Sequence, residues 1–398
     1  KNMNQLQMKY NLAHILYWIV YCAECGFTAI FLQSKGMTNT EIGLVTGSGC
    51  VITIFLSPFV TSIINNHPKI TVKKMFTMII AFLSLVFLSV AFIQMPVILV
   101  MACYICILST FVSTVPFLSM IAMDYLHEGR EINFGLARGM GSVFYAVAAV
   151  VLGEWINLFS ANVLAIVFMV GGILFLLVLY RLPDSQLDPS TKTNAKNGSF
   201  FSFIRKYQIL FFILLGFAFA FAASSSISTY LINIIENLGG DTSIYGVTIF
   251  LMAASEMPAM AVVPRLIRRY HPMNLVMFAG GCYIIRNFLI CLAPSLPFVF
   301  IGMLFQSVTY GILTSLLTYY VSDVTDKKDE AMGQTFIGVM TSGFGATIGN
   351  FFGGFIQDAL GLPAMLGMAC VLTAIGSGIM VVTAMYAKKK LPPRRILS

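Results

Sequence analysis

Long apolar runs separated by short polar breaks make up almost the whole chain. A helix needs about 20 such residues to cross a bilayer. The runs predict spans near residues 10–32, 40–64, 74–94, 96–123, 132–157 and 160–181. A second set follows near 207–233, 242–265, 273–293, 296–321, 332–357 and 362–386. Between the sets, Leu182 to Lys206 is the longest polar interval, with Pro183, Pro189, Lys192, Lys196, Asn197 and Gly198, and reads as a linker. The expected architecture is an all-α integral membrane protein of about twelve transmembrane helices in two pseudo-symmetric six-helix bundles. Residues 1–181 form the first, 182–206 a cytoplasmic linker, 207–388 the second and 389–398 a cytoplasmic tail.

Composition agrees with this pattern. The 398 residues are 58% hydrophobic and 10% charged, against about 25% charged in soluble domains. With both termini inside, Lys35 is the one basic residue on an external segment and Arg138 and Arg286 are the two within the membrane. Every other Lys and Arg falls on the cytoplasmic side, as the positive-inside rule requires. The net charge of +8 is therefore spread over short loops, and nucleic acid is not an expected partner. The polar segment Lys1 to Lys9 runs into a full-length span with no small-residue cleavage site, so no removable signal peptide is expected.

A weak internal repeat points to related halves. Gly139-Met140-Gly141 in the fifth span is echoed by Gly343-Phe344-Gly345 in the eleventh, and Pro58 with His67-Pro68 by Pro264 with His271-Pro272. Such halves enclose a midplane site and rock about it. The run of small residues from Gly338 to Gly354 also suits plain close packing.

Four charged residues lie deep in the expected spans: Glu24, Arg138, Glu256 and Arg286, one acid and one base in each half. Each costs about 2.5–3.5 kcal/mol on insertion scales when unpaired, so pairing or a polar cavity is expected. Two fixed salt bridges would satisfy the same arithmetic. A glutamate that meets its arginine in one conformation only could instead bind and release a proton. Glu256, beside Pro258, is the first choice for that role and Glu24 the second. Asp124 and Asp358, at span ends, read as solvated or capping residues.

Other chemistry is scarce. The eight cysteines sit in apolar segments, and Cys22-x-x-Cys25 has no second pair or nearby histidine, so no metal is expected. Gly139-x-Gly141 lacks the third glycine of a dinucleotide site, and no Walker A sequence is present. The sequon Asn197-Gly198-Ser199 falls on the linker and should be idle. No nucleophile–base set suggests an enzyme, and no organic cofactor is implied.

Twelve spans, a central linker and the fifth-span motif resemble the major facilitator superfamily, and within it the lactose-permease-like group of oligosaccharide, phenylpropionate and nucleoside symporters. Asn133-Phe134-Gly135-Leu136-Ala137-Arg138 is similar to that group's NF…GRAR segment, whose last arginine contacts sugar hydroxyls. Tyr145 stands where the group has a tryptophan that stacks on the sugar. Pro264 through Arg286 matches the stretch leading to a functional arginine, and Glu256 resembles a Glu-x-Pro carboxylate of phenylpropionate-like members. The chain departs from the group at its tenth-span titratable residues, replaced by Met303, Gln306 and Thr309, and at its galactoside-binding glutamate, near Ser119 or Met120. The resemblance implies a monomeric, proton-coupled symporter in a bacterial inner (cytoplasmic) membrane, with sodium left open as the ion.

On this reading Arg138 and Arg286 bind hydroxyls or a carboxylate of a small polar or anionic solute. Tyr145 stacks on it, Gln306 and Asn350 add polar contacts, and Glu256 and Glu24 couple protons. The alternative is a proton-driven exporter of drugs or metabolites, with Glu24 meeting cations. Against it, Gly141 to Gly153 has no proline, unlike an antiporter's fifth span.

Overall fold

A computed structural model describes residues 2–66, 70–184 and 200–390, and its ordered elements are helices. The first apolar run folds as α1 (Asn2–Tyr21), a π-helical turn over Cys22–Gly26, and α2 (Thr28–Ser34). Then come α3 (Asn39–Asn66), α4 (Val72–Phe92), α5 (Val97–Val112), α6 (Val115–His127), α7 (Phe134–Leu158) and α8 (Val163–Tyr180). The second set is α9 (Phe200–Lys206), α10 (Gln208–Thr229), α11 (Leu231–Asn237), α12 (Thr242–Arg269), α13 (Pro272–Cys291) and α14 (Leu296–Leu304). It continues with a π turn (Ser307–Gly311), α15 (Ile312–Val324), α16 (Lys327–Gly338), a second π turn (Val339–Gly345), α17 (Ala346–Leu360) and α18 (Leu362–Lys390).

Local chemistry sets several boundaries. The Asn133 side chain accepts from the Leu136 N–H at 2.8 Å and caps α7, and Thr71 caps α4. Pro116 starts α6 one turn after α5 ends. The clearest internal repeat lies in the main chain. Phe27 (φ −122°) and Tyr230 (φ −101°) each leave the helical region and each precede a seven-residue helix, α2 or α11. Each of these ends at a positive-φ glycine, Gly36 or Gly239, and a 28-residue helix starts three residues later. Glycine is required there because a side chain at φ near +80° is strained. By contrast, Gly139-Met140-Gly141 lies in regular α-helix and Gly343-Phe344-Gly345 in a π turn.

Contacts divide the chain into two units. One gathers Lys1–Met37, Ser48–Asn194 and Asp241–Phe250; the other gathers Thr38–Gly47, Ala195–Gly240 and Leu251–Ser398. The division leaves chain order at the first turns of α3 and α12, the two repeat-related long helices. The first unit is packed around an aromatic cluster of Tyr17, Phe76, Phe111, Phe168 and Phe175, with rings about one ring diameter apart. The second is built on Phe217, Tyr283, Leu313, Leu316 and Met380, all fully buried. Large apolar side chains such as Phe55, Phe82, Ile98 and Val382 point outward, which suits a lipid surround.

Nine helices among the described residues are long and apolar enough to cross a membrane, or ten if α1 and α2, bent by 49°, count as one span. The segments α12 and α16–α17 are not among them. The C-terminal end of the expected linker is helical. Residues 200–206 form α9, because Phe203 packs on Phe336 and Lys206 bridges Asp326 and Asp329 at 2.6 and 2.7 Å. The rest of that linker (185–199, with its sequon), His67-Pro68 and the tail from 391 lie outside the described residues.

Two seams in the second unit make predictions. A Cβ on Gly349 would run into the Ala222 carbonyl of α10, whereas one on Gly378 meets nothing within 4 Å. Gly349→Ala should lower stability by about 1–3 kcal/mol as α10 and α17 are pushed apart, and Gly378→Ala should raise it by about 0.5–1 kcal/mol. Thermal unfolding in detergent tests both. Asp358 caps a helix other than its own: its oxygens accept from Asn39 and Thr40, N–H and side chain alike, at 2.6–3.3 Å. Burial alone would raise its pKa, but the bonds from Thr40 and Asn39 outweigh it and hold the carboxyl below its usual 3.8. The folded chain thus holds this proton less tightly than the unfolded one. The contribution is complete above about pH 3.8 and is lost as pH falls further. Asp358→Ala should cost about 1 kcal/mol at neutral pH, with a flatter acid limb in its unfolding profile.

Candidate functional site

In the first unit, α1 and α7 face each other with a ladder of side chains. His14, Trp18 and Tyr21 recur at four and three residues on α1; Phe134, Arg138, Gly141 and Tyr145 recur at four, three and four on α7. Both spacings put each set on one helix face. His14 meets Phe134 edge-on at 5.7 Å between ring centres. Tyr145 lies 6.5 Å from both Trp18 and Tyr21. The Arg138 guanidinium lies over the Trp18 ring at 3.9 Å and donates to Ser142 Oγ at 2.6 Å. Trp18 fits there because position 141 is glycine; a Cβ would strike its indole. Cation–π contact of this kind is worth about 0.5–2 kcal/mol, more as water is excluded.

Glu24 follows one turn on, within the π turn, and is 0% exposed. Its Oε2 accepts from the Cys25 thiol at 2.5 Å, and its Oε1 has no hydrogen-bond partner. The main-chain carbonyls freed by the break are occupied. Tyr104 Oη donates to Glu24 O at 3.0 Å, Thr28 Oγ1 to Glu24 O at 2.9 Å, and Tyr245 Oη to Gly26 O at 2.5 Å. Depth left two readings for Glu24 and Arg138, a fixed pair or a polar cavity in which they meet in one conformation only. In this structure Glu24 joins no ion pair among the described residues, and Arg138 is turned onto Trp18.

In the second unit Arg286 is 0% exposed and also forms no ion pair with Glu256. Its Nη1 donates to Ser224 Oγ at 2.6 Å and to Asn287 Oδ1 at 2.8 Å, its Nη2 faces Met303 Sδ at 3.9 Å, and its Nε has no partner. Asn287 in turn donates to Thr373 Oγ1 at 2.7 Å. Arg286 is thus held in a neutral hydrogen-bond network between α10, α13 and α18. Glu256 accepts from Gln306 Nε2 at 2.9 Å, on a helix that runs unbroken through Pro258. Gln306 Oε1 has no partner. Asn350 is spent on structure: its Oδ1 accepts from Ser225 and Thr229 at 2.8 and 2.9 Å, and its carbonyl from Tyr230.

The structure therefore places Glu24, Arg138 and Tyr145 along one face-to-face ladder in the first unit, and Glu256 with Gln306 in the second. Arg286 and Asn350 sit inside the second unit's packing. Sequence reasoning missed Trp18, the residue that holds Arg138. Its signal was the four-and-three spacing of His14, Trp18 and Tyr21, legible only once α7 is known to lie opposite. It also missed Ser224, Asn287 and Thr373, polar residues that single runs of hydropathy hide.

The family model described as the MFS_1 like family matches residues 8–365. An uncharacterised transporter of Bacillus subtilis (strain 168), YwbF, is 26% identical over 362 residues, covering 90% of this chain and 88% of its own. A probable 3-phenylpropionic acid transporter of Escherichia coli (strain K12) is 20% identical over 387 residues, covering 96% and 97%. The crystal structure of the nucleoside transporter NupG superposes with a TM-score of 0.76 at 15% identity, covering 97% of this chain and 100% of that one, a likeness of fold. The chain belongs to the MFS_1 like family and is a multi-pass membrane transporter, not an enzyme.

Proposed function

We propose that this transporter is a proton-coupled symporter that takes up a small polar or anionic organic solute by alternating access. Its helices make twelve spans, with both termini in the cytoplasm, and it works as a monomer in a bacterial inner membrane. The observation that carries the reading is Glu24, a fully buried carboxyl outside any ion pair among the described residues, one turn from the Trp18–Arg138–Tyr145 ladder. A carboxylate enclosed in this way is costly as an anion unless paired. Carrying a proton while enclosed and giving it up when water reaches the site is the simplest use of such a group. Glu256, held by Gln306, is a second proton carrier.

Arg138 supplies a guanidinium fork for hydroxyls or a carboxylate, and Tyr145 and Trp18 supply ring faces. Two of the similar proteins support small ring-bearing solutes, one named for 3-phenylpropionic acid and one for nucleosides. Gln306 has one amide oxygen left to bond a solute. Asn350 positions α10 and α17.

Uptake into proteoliposomes tests the proposal, with sugars, nucleosides, aromatic carboxylates and lipophilic cations as solutes. One of the first three should accumulate when an inward proton gradient is imposed. Glu24→Gln should keep solute exchange but lose the response to the gradient. Arg138→Gln should weaken solute binding by about 10–100-fold, the loss of a charged hydrogen bond, and Trp18→Leu by about 3–30-fold. Accumulation that follows a sodium gradient instead would remove the proton assignment. Outward movement of lipophilic cations, lost in Glu24→Gln and indifferent to Arg138→Gln, would make the chain an exporter.

A further inference from the structure

A cavity lies apart from these residues, at the basic end of the second unit. It measures about 520 Å³ and opens between the start of α10, the start of α13 and the ends of α15 and α18. That volume is in the range of small-molecule sites. Its walls are apolar, from Ile209, Leu210, Met273 and Val324, and its rim is polar, from Lys206, His271, Asp323 and Lys390.

The rim is rich in donors. Helix α10 has no side-chain cap, and Phe211 N takes up the Tyr207 carbonyl, so the N–H groups of its first turn are open to an acceptor. Such a terminus favours negative charge. Lys390 lies 4.7 Å over the Tyr386 ring, with Lys388 and Lys389 beside it in sequence. His271 accepts from Met273 N through Nδ1 at 3.1 Å. Partial burial and then the Lys388 charge hold it below its ordinary range, so it is neutral with its proton on Nε2. The Lys206 charge is already matched by Asp326 and Asp329. Asp323 is the one carboxylate on the rim.

We infer that this cavity binds the phosphodiester headgroup of an anionic glycerophospholipid that carries free hydroxyls. The phosphate would take Lys390 and the open N–H groups of α10, and the headgroup hydroxyls would donate to Asp323. The apolar wall would take the glycerol and the first acyl carbons. The position suits it, since lysine-rich ends of spans sit at headgroup level and attract anionic lipid. The inference does not depend on which solute or ion is transported.

The full-length protein, purified in detergent, would be incubated with phosphatidylglycerol or phosphatidylcholine and its retained lipid read by native mass spectrometry. Phosphatidylglycerol should be retained selectively. Lys390→Gln should weaken retention about five-fold, while Lys388→Gln, off the rim, should change it by less than about two-fold. Val324→Trp, which fills the cavity, should abolish it, with a thermal unfolding transition confirming that this variant folds. Equal losses in Lys388→Gln and Lys390→Gln would mean diffuse attraction to the basic end and would overturn the site. So would full retention in folded Val324→Trp. Inorganic phosphate or glycerol phosphate raising the melting temperature as much as the lipid would overturn the lipid assignment in favour of a soluble phosphate.

Discussion

A helix interrupted inside hydrocarbon leaves carbonyls that water cannot reach, and each must find a donor from the protein. That requirement governs the first unit. The chain leaves the helix at Phe27, and hydroxyls of Tyr104, Thr28 and Tyr245 close the carbonyls of Glu24 and Gly26. The bend places Glu24 in a π turn, beyond the level at which Trp18 meets Arg138. In the second unit Tyr230 sits at the matching break, and its hydroxyl donates to the carbonyls of Asn39 and Asn350.

The two deep arginines show how much environment adds to residue type. Arg138 is half-buried, stacked on Trp18 and aimed along a ladder of polar and aromatic groups. Arg286 is sealed among neutral donors and acceptors, with one nitrogen left unmet. A charge held this way draws on dipoles rather than on a counter-ion. It organises α10, α13 and α18 about itself, and removing it would strand Asn287 and Ser224.

Membrane character and helical class were legible in hydropathy alone, because the bilayer imposes a length and a polarity on every span. Arg138 and Glu24 could be singled out for the same reason: charge is rare at that depth. What could not be read was the partner of each. Cost allowed either a pair or a polar cavity, and here Glu24 is bonded to its neighbour Cys25 while Arg138 lies on an aromatic face. Neither interaction leaves a mark in composition. Asn350 was singled out as a solute contact, and in this structure its Oδ1 accepts from two hydroxyls of α10. The helix at the end of the linker left no mark in the sequence, because Phe203 packs on Phe336, far along the chain.

The break at Phe27 has an evolutionary corollary. Its geometry is held by hydroxyls that belong to other helices, on α5 and α12 as well as on α2 itself. Those donors therefore carry the bend, while position 24 is fixed by the carboxyl that the ladder uses. The burden of shaping the turn falls on Tyr104 and Tyr245, which reach it through main-chain carbonyls and supply no side chain to the ladder. A search for this site by matching the residues of the site alone would pass over the positions that shape it.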